Sequence, residues 1–285
     1  MCFQSDFSRE MPRYYYMEKL IPVYPYLKLV IFQGGEPTIV PEVKELMEFL
    51  NTRYPRIKLG IMTNGYFFDD FWINKFVKYG KFVSFSINAA SKETYNSIVQ
   101  NGNWEKVNLN IKKFVDIKTR DNSNVSVWAS FVVLNDNIHE LSKFILFCNG
   151  LGVNKIRFFY SGRLLPKNRS IIEDELRKAR ILEKELTDIE IDGLDFFEFR
   201  EFNKRFFSNC PFPFNEISIE VNGRVSFCCH FGETIGNLNF NSIEKIWNSL
   251  VAKKYRALFK KRDYRYCSGY CDPYYNKKNG IFYGQ

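Results

Sequence analysis

Five times between residues 27 and 186, an apolar run of strand length is followed by an amphipathic run of helix length. The strand readings are 27–33, 57–63, 82–88, 125–133 and 153–160, mostly β-branched or aromatic. The helix readings are 42–53, 69–79, 104–118, 138–149 and 171–186. Near-continuous apolarity fits strands covered on both faces. Strand-then-helix units with right-handed crossovers imply a parallel α/β sheet, either a barrel or a doubly wound sheet. Pro41 suits the first turn of its helix, and Ser170 followed by Glu173 predicts a capping box at the start of the last one.

Folds of this class keep their chemistry at the carboxyl ends of the strands. The first strand runs into Gln33-Gly34-Gly35-Glu36-Pro37, the second into Thr63-Asn64-Gly65, and the third carries Ser86 and Asn88. Paired glycines let a backbone approach a ligand and offer it amide and carbonyl groups. Taken alone, Gly-Gly-Glu-Pro reads equally well as a turn leading to Pro41. Three polar strand ends in series point to a ligand site.

The last quarter carries Cys210, Gly223 and Cys228 in the spacing C-x12-G-x4-C, then Cys267 and Cys271 as C-x3-C. Four cysteines so arranged hold either tetrahedral zinc or an iron-sulfur cluster. Between Cys210 and Cys228, the runs 217–221 and 225–228 flank Asn222-Gly223, a hairpin signal in which the glycine supplies positive φ. Cys229 would point away from Cys228 on a strand, and His230 reads as a packed residue or a ligand. Cys148 sits in an apolar helical run and reads as a buried thiol. Seven cysteines, an odd number grouped like ligands, fit a reducing cytoplasm better than a disulfide framework.

A chain of 285 residues with 45% hydrophobic content excludes a disordered class, and no run approaches the length of a membrane span. The net charge of +9 does not imply nucleic acid, because Lys and Arg are scattered and sit beside Asp or Glu. The dense patch 253–265 reads as the solvated face of a helix end. His139 is expected to be solvated, and Arg157 and Arg163 to pair with acids at the surface. The tyrosines 14–16 and the phenylalanine-rich stretch 196–207 are expected to fill core and interface.

These motifs resemble the radical SAM superfamily, specifically members with a SPASM or twitch auxiliary-cluster domain. Gly34-Gly35-Glu36-Pro37 is similar to the family's GGEP motif, Thr63-Asn64-Gly65 to its TNG, and Ser86-Ile87-Asn88 to its Ser-Ile-Asp, with Asn88 in place of the usual aspartate. Cys210, Gly223 and Cys228 fit the opening of SPASM domains, with Ile235-Gly236-Asn237-Leu238 and Ile246-Trp247-Asn248 like their middle. The resemblance implies a partial (βα)6 TIM-type barrel over 1–200, with its first strand missing, and a small cysteine-ligated SPASM/twitch domain over 201–285. It implies S-adenosyl-L-methionine bound by Gly34, Gly35, Glu36, Pro37, Thr63, Asn64, Ser86 and Asn88. It also implies an auxiliary [4Fe-4S] cluster on Cys210, Cys228, Cys267 and Cys271. Met1-Cys2-Phe3 resembles the end of the family's C-x3-C-x2-C triad, so Cys2 is expected to be a cluster ligand and the chain to be truncated ahead of it. The activity so implied is hydrogen abstraction from a peptide, protein or sugar-linked substrate, with flavodoxin or ferredoxin as electron donor. Two other readings stand beside it: a non-catalytic remnant retaining the auxiliary cluster, and a zinc-stabilised binding module.

Overall fold

The structure, a computed structural model, describes residues 10–160, 168–194, 210–229, 231–263 and 265–267. Of these, 29–194 form one compact unit, and 10–28 join 210–267 in a second.

The first unit is a six-stranded parallel sheet in the order β1 (Leu29–Phe32), β2 (Lys58–Thr63), β3 (Gly80–Ser86), β4 (Ser126–Val133), β5 (Lys155–Tyr160) and β6 (Glu190–Asp192). Strands β1 and β6 lie at the two ends of that order. The crossovers are α1 (Pro41–Arg53), α2 (Asp70–Tyr79), α3 (Lys92–Ile98) with α4 (Trp104–Arg120), α5 (Leu141–Gly150) and α6 (Arg169–Glu185). Alternation along each strand sends Leu59, Ile61, Val83, Phe85, Val127, Ala129, Phe131 and Ile156 into a solvent-excluded core. Trp72, Phe76, Ile111, Phe114 and Phe144 of the helices join that core. Phe68, Phe85 and Phe114 meet edge to face with ring centroids 5.2–6.1 Å apart, a geometry worth a further fraction of a kcal/mol to about 1.5 kcal/mol per pair.

Three expectations are corrected here. Six strands are present where five were read: β6 has one apolar residue between two acids and so carries no alternation signal. Helix α6 begins at Arg169 after Asn168, whose side chain makes no cap bond, so the Ser170–Glu173 capping box does not form and both residues lie within the helix. Arg157 is 8% exposed, beside the Phe159 ring at 5.0 Å, and is therefore not a surface residue. Cys148 is fully buried, and burial raises its thiol well above the ordinary value.

The second unit carries a three-stranded antiparallel sheet: β7 (Ser218–Ile219), β8 (Arg224–Ser226) and β9 (Gly236–Asn237). Helices α7 (Phe212–Asn215), α8 (Ile243–Trp247) and α9 (Leu250–Lys260) surround it. The hairpin strands are shorter than the sequence suggests, and the turn differs from a two-residue Asn-Gly turn. Gly223 N–H donates to Glu220 O at 2.9 Å, Glu220 N–H to Arg224 O at 2.9 Å, and only Gly223 of the pair has positive φ, at 81°. That is a three-residue loop with its glycine in the left-handed position. A second constraint acts on the same glycine, since a Cβ there would stand 2.5 Å from the Tyr15 hydroxyl. Tyr15, in the single π-helical turn Tyr15–Lys19, is buried in the same cluster as Val225, Phe227, Leu238 and Ile246, and its hydroxyl donates to Asn239 Oδ1 at 2.5 Å. Along α9, Lys253, Lys254 and Lys260 are exposed as expected. Arg256 is half-buried, stacked 3.9 Å from the Trp247 ring and donating to Pro213 O and Trp247 O at 2.7 Å.

Candidate cofactor and metal sites

At the carboxyl ends of β1 and β2 the hub is Glu36. Its Oε1 accepts from Thr38 N–H at 3.1 Å, Thr38 Oγ1 at 2.6 Å and Thr63 Oγ1 at 2.7 Å, while Oε2 accepts from Asn64 N–H at 2.7 Å. The carboxylate thereby fastens the glycine turn after β1 to the turn after β2. Gly34 and Gly35 take φ of 90° and 53°. A Cβ on Gly34 would meet nothing within 4 Å, so the space over that turn is open and the glycine is demanded by conformation alone. Pro37 opens the short 3-10 turn Pro37–Ile39. Asn64 Oδ1 accepts from Tyr66 N–H at 2.8 Å, which shapes the loop, and Asn110 of α4 donates to Gly65 O at 2.8 Å and Tyr66 O at 3.2 Å.

Next along the sheet, the Ser86 and Ser130 hydroxyls are 3.2 Å apart. Asn88 lies two residues beyond β3, buried, with φ of 62° and its side-chain oxygen accepting from Val132 N–H at 2.7 Å. The structure thus brings Gly34, Gly35, Glu36, Pro37, Thr63, Asn64, Ser86 and Asn88 to one edge of one sheet. The sequence reading missed Thr38, Asn110, Asn137 and Glu140, which hold that edge; Thr38 adjoins Pro37, the other three lie outside the motifs, and their bonding partners are not marked by any local pattern.

In the second unit, Cys228 is buried, and Cys210 and Cys267 pack against the same apolar cluster of Val225, Phe227, Phe231 and Ile235. Residues after α9 return to this cluster because Cys267 bridges Phe231 and Gly232 N–H donates to Tyr266 O at 2.9 Å. Burial pushes the Cys210 thiol up to about 11, with the nearby Cys267 and Glu216 adding to it and the Phe212 N–H opposing. Burial likewise raises the Glu216 carboxyl to about 7. Cys228 and Cys229 both lie beyond β8, so strand alternation does not govern them, and Cys229 is exposed. Cys2, Cys271, His230 and Arg163 lie outside the described residues, as does 196–207. Among the described residues no three His, Cys, Asp or Glu side chains form a complete metal-binding group. Three thiols on one apolar cluster are nevertheless a soft donor set that fits iron-sulfur or zinc, and a neutral Cys210 must lose its proton on binding. Among the described residues no helix is long and apolar enough to cross a membrane.

Comparison with known proteins gives consistent matches. The model of the radical SAM superfamily matches residues 10–148, and that of the SPASM iron-sulfur cluster-binding domain matches 210–272. The probable GTP 3′,8-cyclase of Methanocaldococcus jannaschii is 29% identical over 134 residues, covering 44% of this chain. The match spans 40% of that relative's length. Streptococcus suis SuiB bound to precursor peptide SuiA aligns with a TM-score of 0.64 at 16% identity, covering 90% of this chain and 63% of that one. Native anSMEcpe with bound AdoMet aligns with a TM-score of 0.61 at 16% identity, covering 99% and 88%. At such identities the likeness is one of fold.

Proposed function

This chain belongs to the radical SAM superfamily and carries a SPASM domain, and from that premise we propose that it serves a radical SAM enzyme acting on a peptide, protein or sugar-linked substrate. The two domains imply [4Fe-4S] clusters with S-adenosylmethionine. When bound, a reduced cluster and S-adenosylmethionine supply a 5′-deoxyadenosyl radical that takes a hydrogen atom from substrate. The observation that carries the reading is the double-glycine turn at 34–35, open at Gly34 and fastened by Glu36 to the turn at 63–65.

In this reading the 34–35 backbone receives the methionyl amino group, and Pro37 stiffens the turn behind it. Thr63 and Asn64 are held in register by Glu36, and Ser86 offers a hydroxyl from the neighbouring strand. Preorganised groups of this kind orient a reactive cofactor and keep water from it. Cys210, Cys228, Cys267 and Cys271 hold the auxiliary cluster, and Cys2 is a ligand of the catalytic one. SuiB, with its bound precursor peptide, supports the peptide among the three substrate classes. A flavodoxin or ferredoxin in a reducing cytoplasm would deliver the electron.

The test is anaerobic reconstitution with iron and sulfide, reduction with dithionite, and assay for 5′-deoxyadenosine from S-adenosylmethionine. It is run on this chain and on an upstream-extended reading frame. Formation of 5′-deoxyadenosine by either, lost on replacing both Gly34 and Gly35 by Val, is the expected result. A brown, cluster-bearing protein that forms none in either version overturns the enzyme reading in favour of a non-catalytic cluster module.

A further inference from the structure

We propose that Asn88 is a positioning residue whose side-chain oxygen latches the exit of β3 to β4, so that an aspartate at this position does the same work. The parallel pairing of β3 with β4 ends at Ser86 opposite Ser130, after which Ile87 N–H and Asn88 N–H both turn to Ser130 O at 3.2 and 3.4 Å. The chain then bends out of the sheet through the left-handed φ of 62° at Asn88, a region that Asn and Asp tolerate better than other side chains. The bend leaves Val132 N–H of β4 without a main-chain acceptor from β3. Asn88 Oδ1 takes that proton at 2.7 Å, in the interior, where an unmet N–H would be costly.

Two further buried side chains complete the latch. Asn137 Nδ2 donates to Asn88 O and to Val132 O, each at 2.9 Å, and its Oδ1 accepts from Leu134 N–H at 2.7 Å. Glu140, 2% exposed, takes Ala90 N–H on Oε2 at 2.7 Å and the Ser91 hydroxyl on Oε1. Ser91 in turn caps α3 through Thr94 N–H at 3.3 Å. Among the described residues the contact of Asn88 Oδ1, with Val132 N–H, is thus structural, and the oxygen is the atom that aspartate shares. The latch fixes Ser86, two residues upstream, beside Ser130. Only the meaning of Ser86 as a cofactor contact rests on the radical SAM reading; the latch itself does not.

Hydrogen exchange of the full chain, read at the Val132 amide without any cofactor, tests the latch directly. Asn88→Ala should speed that exchange roughly tenfold, as loss of one internal hydrogen bond would, while Asn88→Asp leaves it within about twofold of the parent. If Asn88→Ala does not fold, Asn88→Gly keeps the left-handed turn, lacks the oxygen, and should show the same loss at Val132. S-adenosylmethionine affinity is measured on the same set, with Ser86→Ala as the comparison that should weaken affinity and leave Val132 protected. The proposal is overturned if Asn88→Ala weakens affinity while Val132 stays protected, or if Asn88→Asp exposes Val132 as fully as alanine does. Absence of cofactor binding by the parent would count against the radical SAM reading and leave the exchange result intact.

Discussion

The sheet unit and the cysteine unit are stabilised by different means. The sheet unit closes its core with its own strands and helices: Phe131, on a central strand and solvent-excluded, has the Phe144 ring at 4.7 Å and the Phe158 ring at 5.6 Å. In the cysteine unit the strands are two or three residues long, and thiols take up places on its apolar cluster. A domain with so little regular structure usually needs a metal or cross-link to reach ordinary stability. A scaffold that closes its own core thus stands beside a unit with few strand residues and three thiols on its apolar cluster, and the second is expected to depend on what its cysteines hold.

The largest expected effect separates the two outright. Chelation of the metal from the loaded protein should bring the amides of 218–226 and 236–238 to full hydrogen exchange while those of 59–63 and 83–86 stay protected, because metal binding free energy in such units is folding free energy. Equal loss in both units would erase the distinction. Second in size, Phe131→Ala should cost the sheet unit about 3–5 kcal/mol by opening a cavity. Its thermal transition should fall with the iron content unchanged, as iron analysis of the folded fraction would show.

Gly223→Ala comes next, at about 1–3 kcal/mol on the cysteine unit, since it strains a positive φ and pushes a methyl against the Tyr15 hydroxyl. The pair Gly223→Ala with Tyr15→Phe should recover part of that loss in a double-mutant cycle of thermal midpoints. If the cycle is additive, Tyr15 is not what crowds this turn.

The smallest effect is one of pH. Burial raises the Glu216 carboxyl from the ordinary 4.5 to about 7, so folding favours its neutral form. The stability this gives is fully present below pH 4.5 and is lost as pH climbs through 7. The midpoint of the loaded cysteine unit should therefore decline between about pH 4.5 and 7 and level off above that, and Glu216→Gln should flatten that decline. An unchanged slope in the variant would assign the pH dependence to another group.

Much of the sheet unit was legible in advance because its signals are local. The apolar runs at 57–63 and 125–133 fall within a residue of β2 and β4, since buried parallel strands need continuous apolarity. Glu190–Asp192 escaped because a three-residue edge strand needs no such run. The motifs at 34–37 and 63–65 were legible as polar strand ends. That Glu36 joins them was not, because that bond connects residues 27 apart in the chain. Ser170 and Glu173 have capping-box spacing, yet α6 starts at Arg169 and absorbs both.

By itself, the sequence determined the parallel α/β class, the three polar strand ends and the grouping of the cysteines, all properties of neighbours in the chain. Only the tertiary structure decided that residues 10–28 pack with the cysteine unit, that Tyr15 closes on Gly223, and that Asn88, Asn137 and Glu140 share one buried network. Those pairings join residues tens to hundreds of positions apart. What fixes them is the packing of apolar side chains such as Tyr15 and the pairing of buried polar groups such as Asn137, which no local pattern can express.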